Sequence, residues 1–201
     1  MYLRPAFTET DTARITGLIE ANPFGLLVTQ EGSAMDASHI PFLVERAGDG
    51  FVLTAHLGRA NAQAATLAGG RALAVFSGPH AYIAPGWYQT QPSVPTWDYA
   101  AVHVHGVLEA VDDAEGACAI LRRLAAHDPM GFDLDALTER YRNGMLAGIR
   151  AFRLHPDKIE AQWKMSQNRS VADRQGVIAA LRAQGEHAVA DLIAETLPAA
   201  G

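Results

Sequence analysis

Between Ser77 and Gly106 the chain reads "SGPHAYIAPGWYQTQPSVPTWDYAAVHVHG", with five aromatic residues, three histidines, four prolines and hardly a charge. Such a stretch suits neither a regular helix nor an ordinary solvated loop. Gly78, Pro79, Pro85 and Gly86 favour turns. Tyr82, Trp87, Tyr88, Trp97 and Tyr99 supply flat apolar surface with polar tips. Surface of this kind can line a pocket for a small planar ligand. It can equally be core or subunit interface, and the residue types leave both readings open.

Two further segments carry polar chemistry. "TAHLGRAN" brings His56, Arg59 and Asn61 to a strand-to-helix junction, where backbone N–H groups and a guanidinium can hold phosphate. "WKMSQNRS" gathers Lys164, Ser166, Gln167, Asn168 and Arg169 around Met165, and a helix cap at Ser170 accounts only for the last residue. A flavin mononucleotide asks for this set: cationic and hydroxyl groups at the phosphate, aromatic or thioether contact at the ring, and donors at its carbonyls. His56 and His80 are the leading proton-transfer candidates, because imidazole titrates near neutral pH. Both could instead serve only as hydrogen-bonding groups within the fold. His103 and His105 share one face of a strand. No carboxylate or third histidine follows at motif spacing, so no metal is expected. Gly-x-Ser-x-Gly, Walker and Rossmann glycine motifs are all missing from the sequence. Asp112 and Asp113 precede a helix and read as capping residues.

These groups need a scaffold. A helix is predicted after Asp11, with Ile15, Leu18 and Ile19 on one face and Pro23 beyond its end. Strands follow at "FGLLVTQ", "ASHIPFLVERA" and "FVLTAH", the last two joined by a Gly-Asp-Gly hairpin turn. "GRANAQAATLAGG" reads as a short helix ending at Gly69 and Gly70. "RALAVFS" and "HAYIA" read as separate strands, and Tyr99 to Val111 as a long one. Helices are expected from about Asp113 and from about Ala136 to Ile149, before a strand over "RAFRLHPDKIEAQWKM". The tail from Ser170 to Thr196 reads as two helices broken at Gln184 and Gly185. Six or seven strands with turns between them imply a mainly β, α+β fold, a small barrel decorated by helices. The expected organisation is a barrel domain over residues 1–169 and a C-terminal helical extension over 170–201, packed on the barrel or on a dimer interface.

Composition narrows the functions. Of 201 residues, 22 are acidic and 16 basic, for a formal net charge of -6, which disfavours polyanion partners such as DNA. The second tail helix carries Glu186, Asp191 and Glu195 without a Lys or Arg, unlike a recognition helix. Cys118 is the single cysteine, which excludes an internal disulfide and cysteine-rich zinc sites. No apolar run approaches the length of a membrane span, and the first residues lack the pattern of a secretion signal. A cytoplasmic location is the natural expectation.

The blocks "ASHIPFL", "HLGRANAQ", "VFSGPHAYI", "PTWDYAAVHVHG" and "WKMSQNRS" occur in this order across nearly the whole chain. In them the sequence resembles the PaiB family, described as FMN-binding negative transcriptional regulators. The resemblance implies a split β-barrel related to pyridoxamine-phosphate oxidase-like proteins, assembled as a homodimer with flavin at the interface. It also suggests kinship with haem-degrading split-barrel proteins, which makes haem the alternative cofactor. With the residue chemistry, it places Ser38, His56, Arg59 and Asn61 at the phosphate, with Lys164 or Arg169 as further cations. Tyr82, Trp87, Trp97 and Met165 would contact the ring, with Ser166 and Gln167 nearby. Ala84 and Gly86 stand where serines are common in the family, and Asp98 where asparagine is common. A carboxylate facing flavin phosphate would repel it, so Asp98 is expected to face a basic residue or solvent. Three functions stay open: an FMN-dependent repressor, an oxidoreductase or haem-handling enzyme, and a ligand sensor without turnover.

Overall fold

The computed structural model describes residues 1–198. Helix α1 spans Thr12–Ala21 and buries Ile15, Leu18 and Ile19, the face read from their spacing. Seven strands follow: β1 (Phe24–Glu31), β2 (Ala34–Pro41), β3 (Leu43–Ala47), β4 (Gly50–Gly58), β5 (Arg71–Ile83), β6 (Thr96–Val111) and β7 (Ile149–Lys164). They form one sheet in the order β2-β1-β5-β6-β7-β4-β3. The registered pairs β1/β2, β1/β5, β3/β4 and β4/β7 are antiparallel. The other helices are α2 (Ala114–Ala125), α3 (Glu139–Ala147), α4 (Val171–Ala183) and α5 (His187–Ala194). No helix among the described residues is long and apolar enough to cross a membrane.

The contacts divide the chain into two compact units. The first comprises Met1–Asp11, Ser77–Val102 and Glu160–Gly201; the second comprises Thr12–Phe76 and His103–Ile159. Strands β5, β6 and β7 each supply segments to both. In the second unit Phe42 packs edge-on to Phe76 and Phe152, at ring separations of 5.3 and 6.4 Å. In the first, α4 and α5 bury Val177, Ile178, Leu181, Val189, Ala190 and Ile193.

Local chemistry explains most boundaries. Asp113, Thr138 and Ser170 cap α2, α3 and α4 through side-chain oxygens that accept from Gly116, Tyr141 and Asp173 N–H groups. Gly48 closes the β3–β4 turn at φ +56°, and Gly185 ends α4 at φ +84°, both costly for a residue with a Cβ. Three expectations are corrected. "ASHIPFLVERA" is two strands, because Phe42 turns its N–H to Pro23 O at 2.9 Å and its ring into the core. "RALAVFS" and "HAYI" are one strand: the β1 register ends at Val75, so the N–H missing at Pro79 costs that pairing nothing. The helix after Asn61 is a short 3-10 helix over Ala62–Leu67.

Candidate functional site

The residues singled out in the sequence fall into three groups. In the second unit, Asn61 caps the 3-10 helix with Oδ1 and donates from Nδ2 to Ser38 Oγ at 2.9 Å. Arg59, exposed, donates from Nε to Ala147 O at 2.9 Å and from Nη2 to Ile149 O at 3.0 Å, which leaves Nη1 for another acceptor. His56 stands opposite Ala151 in the β4/β7 register, so it shares the sheet face of Ala151. That face holds the apolar cluster of Leu43, Val111, Ala117, Ile120 and Ala151. Burial lowers the His56 pKa below its ordinary value and keeps the ring neutral, and its buried Nδ1 has no hydrogen-bond partner. The structure thus brings Ser38 and Asn61 together, turns Arg59 toward the start of β7 and sets His56 on the face of the helix-covered cluster.

The second group is the turn after β7, in the first unit. Asp98 is fully buried and faces two members of "WKMSQNRS", as a carboxylate next to a basic residue should. Lys164 Nζ donates to Asp98 Oδ1 at 3.1 Å, to Thr96 Oγ1 at 2.8 Å and to Trp97 O, which occupies all three ammonium donors. Ser166 Oγ donates to Asp98 Oδ2 at 2.6 Å and holds Ser166 at φ +55°, a left-handed conformation that costs a non-glycine residue about 1 kcal/mol. Burial raises the Asp98 pKa, opposed by the Ser166 hydrogen bond and the Lys164 charge. Gln167 accepts from Met165 N–H and donates to Trp163 O. Arg169 lies over the Tyr88 ring, its guanidinium carbon 4.3 Å from the centroid. Met165 is 1% exposed and packs as core.

The third group is an open cavity of about 630 Å³ in the same unit, the size of a small-molecule site. Its walls include His80, Tyr82, Trp87 and Trp97, together with Leu181, Gln184 and Glu186 from the end of α4 and the turn into α5. Tyr82 and Trp97 are 48% and 53% exposed, and their rings meet edge-on at 5.9 Å. His80 lies 6.3 Å from Trp97, with Nδ1 3.1 Å from Gly78 O. A carbonyl only accepts, so Nδ1 carries the proton and Nε2 remains an acceptor in the neutral ring. The Pro85–Trp87 turn is seated against α4 at Gly176, where an added Cβ would stand 2.3 Å from Trp87 O. Asp173 Oδ1 accepts from Thr90 N–H at 2.8 Å and fixes the same loop. Sequence reasoning missed Gln184 and Glu186. The only signal was the Gly185 break, which marks a turn but not what the turn faces.

Residues 1–158 match the family described as "Putative FMN-binding domain". The chain is 34% identical over 186 residues to "Protease synthase and sporulation protein PAI 2" of Bacillus subtilis (strain 168), covering 90% of this chain and 89% of that protein. The structure of the FAD and haem binding protein from Mycobacterium smegmatis aligns with a TM-score of 0.59 at 18% identity, over 78% of this chain and 73% of that one. The flavocytochrome Anf3 from Azotobacter vinelandii aligns with a TM-score of 0.62 at 11% identity, over 81% and 72%. At such identities the two structures speak for the fold alone, and they bear out the mainly β split-barrel architecture.

Proposed function

The chain belongs to that FMN-binding family, and from this premise we propose that it binds FMN and works as a flavin-dependent sensor that influences gene expression indirectly. The observation that carries the reading is the cavity whose walls expose Tyr82 and Trp97 by about half their surface. Large aromatic side chains left open around a concave site are expensive in water and suit a planar ring. In this reading the ring rests against Tyr82, Trp87 and Trp97. Taken by itself, the second unit offers an anion site at Arg59 Nη1, with Ser38 and Asn61 beside its loop. In the first unit Lys164 has spent its donors, and Arg169 is the better candidate.

The fit to FMN is good on the ring side. Four rings line one cavity, and the shortage of charge among them leaves stacking and van der Waals contact to dominate. Bound FMN would supply one- and two-electron redox chemistry. The chain's own part is to hold the ring, keep water from one face and offer His80 Nε2 as a proton acceptor. That last group supports the second reading, a flavin-dependent oxidoreductase or a haem-handling relative.

Indirect regulation is favoured by the tail. The last cation of α4, Arg182, is tied to Asp191 of α5 at 2.9 Å, and α5 presents no Lys or Arg. A helix of that charge would be repelled by phosphates. A homodimer in the cytoplasm completes the proposal, with sedimentation as the check on assembly. The deciding experiment is an absorption spectrum of the purified protein, then titration with FMN and with haem. Saturable FMN binding sustains the reading. A Soret band without FMN uptake replaces it with haem handling, and rapid reduction of bound FMN by NAD(P)H makes the protein an enzyme.

A further inference from the structure

The cavity has a polar side that the aromatic wall does not explain. Gln184 and Glu186 flank Gly185 in the turn between α4 and α5, and both line the cavity. The turn is held by backbone hydrogen bonds: Gly185 N–H and Glu186 N–H donate to Arg182 O and Leu181 O at 3.1 and 3.0 Å, with Gly185 at φ +84°. Glu186 stands at the N-cap of α5 without making a side-chain cap hydrogen bond. Neither the Gln184 amide nor the Glu186 carboxylate has a side-chain hydrogen bond or ion pair among the described residues. Lys164, Ser166 and Gln167 of the turn after β7 are committed internally, so among the described residues this pair, with His80 Nε2, holds unspent hydrogen-bonding capacity at the cavity.

The chemistry of the pair is specific. A carboxylate only accepts, while a primary amide donates through its NH₂ and accepts through its oxygen. Side by side they complement a ring edge in which one N–H donor adjoins a carbonyl acceptor. An isoalloxazine carries this pattern on its imide edge, where N3–H lies between two carbonyls. We propose that Glu186 and Gln184 are specificity-determining residues that read the imide edge of a flavin ring resting on the aromatic wall: Glu186 accepts from N3–H and Gln184 donates to an adjacent carbonyl. This rests on the FMN reading above and goes beyond it, because it makes the C-terminal helical pair a wall of the ligand site. Occupancy then restrains α4 and α5 directly, which gives a sensor a segment whose order reports the ligand.

The test compares FMN with 3-methyl-FMN, which keeps the ring, side chain and phosphate but lacks the N3–H donor. Binding is read from flavin fluorescence with wild type, Glu186→Ala, Gln184→Ala and Trp97→Ala. Wild type is expected to prefer FMN by about tenfold, the effect of an unmade hydrogen bond to a charged acceptor. Glu186→Ala should abolish that preference while still binding both ligands, and Gln184→Ala should weaken both alike. Trp97→Ala should weaken both and keep the preference. Hydrogen exchange of α5 in wild type should slow on adding FMN. Wild type that binds FMN and 3-methyl-FMN equally overturns the role of Glu186 and leaves the FMN reading standing. Wild type that binds neither overturns both. A preference that survives in Glu186→Ala assigns the imide edge to other residues and also overturns the proposal.

Discussion

The first unit contains two polar regions that look alike in composition and differ in what they have left to give. The turn over residues 163–170 is rich in donors, yet Lys164, Ser166 and Gln167 all bond within the protein, to Asp98, Trp97, Thr96, Met165 and Trp163. The cavity beside α4 holds fewer polar groups, but among the described residues His80 Nε2 and the Gln184 and Glu186 side chains have no such partners. The Trp97 residue joins the two: its carbonyl accepts from Lys164, while its ring stands exposed in the cavity wall. Buried polar groups must be satisfied where they are, so a donor-rich segment close to a buried carboxylate is consumed by it. Recognition is left to groups that face a concave surface and have nothing internal to bond.

Removing Asp98 should break this contrast most severely. Asp98→Ala deprives Lys164, itself only 21% exposed, of its counter-charge and leaves the left-handed Ser166 without its anchor. Loss of one partner of a buried pair is expected to cost about 3 kcal/mol, read from denaturant unfolding. FMN affinity of the folded fraction should change little, because no side chain of the cavity is touched. Equal loss of affinity and stability would mean that the two regions act as one. Gly176→Ala comes next. Its Cβ would lie 2.3 Å from Trp87 O, so α4 and the Pro85–Trp87 turn must part. A cost of about 1–3 kcal/mol is expected, and here affinity should fall as well, since Trp87 and Leu181 both line the same cavity.

The contrast also explains what the sequence could and could not reveal. Features set by near neighbours were legible: the long strand over Tyr99 to Val111, the Gly-Asp-Gly hairpin, the caps at Asp113 and Ser170, and the stop at Gly185. The aromatic wall was legible from residue type, since few other uses account for so much flat surface in an uncharged stretch. Decisions made over long separations were not. Lys164 lies 66 residues from Asp98, and nothing local shows that its ammonium is already spent. Phe42 interrupts a strand because of Phe76 and Phe152, which are distant in the chain. Gln184 and Glu186 flank a glycine at a helix end, a pattern that marks a turn whatever it faces.

Trp97→Ala sharpens the comparison from the other side. An indole that is 53% exposed contributes little to the fold, so stability should stay within about 0.5 kcal/mol. A stacked ring is worth about 1–3 kcal/mol to a planar ligand, so FMN affinity should fall at least about fivefold in the same titration. Loss of stability without loss of affinity would return the aromatic wall to the core.

The smallest effect is the most diagnostic of the committed region. Asp98→Asn keeps the shape and removes only the charge. Burial raises the Asp98 pKa above its ordinary 3.8. Between 3.8 and that raised value the folded protein therefore binds more protons than the unfolded chain, and stability contributed by this group falls as pH rises through the window. The slope cannot exceed about 1.4 kcal/mol per pH unit for one group. Asp135, Asp157 and Asp173 act in the opposite sense: hydrogen bonds from Arg122, Arg71 and Thr90 lower their pKa values, so their contribution is lost as pH falls below 3.8. They are common to both proteins and cancel in the difference. The stability of wild type relative to Asp98→Asn should thus increase as pH is lowered from neutrality toward 4. A difference that stays flat would mean that Lys164 and Ser166 offset burial completely and the carboxylate keeps its charge throughout. In either case FMN affinity should be the same in both proteins, because the charge on Asp98 is answered inside the turn and does not reach the cavity.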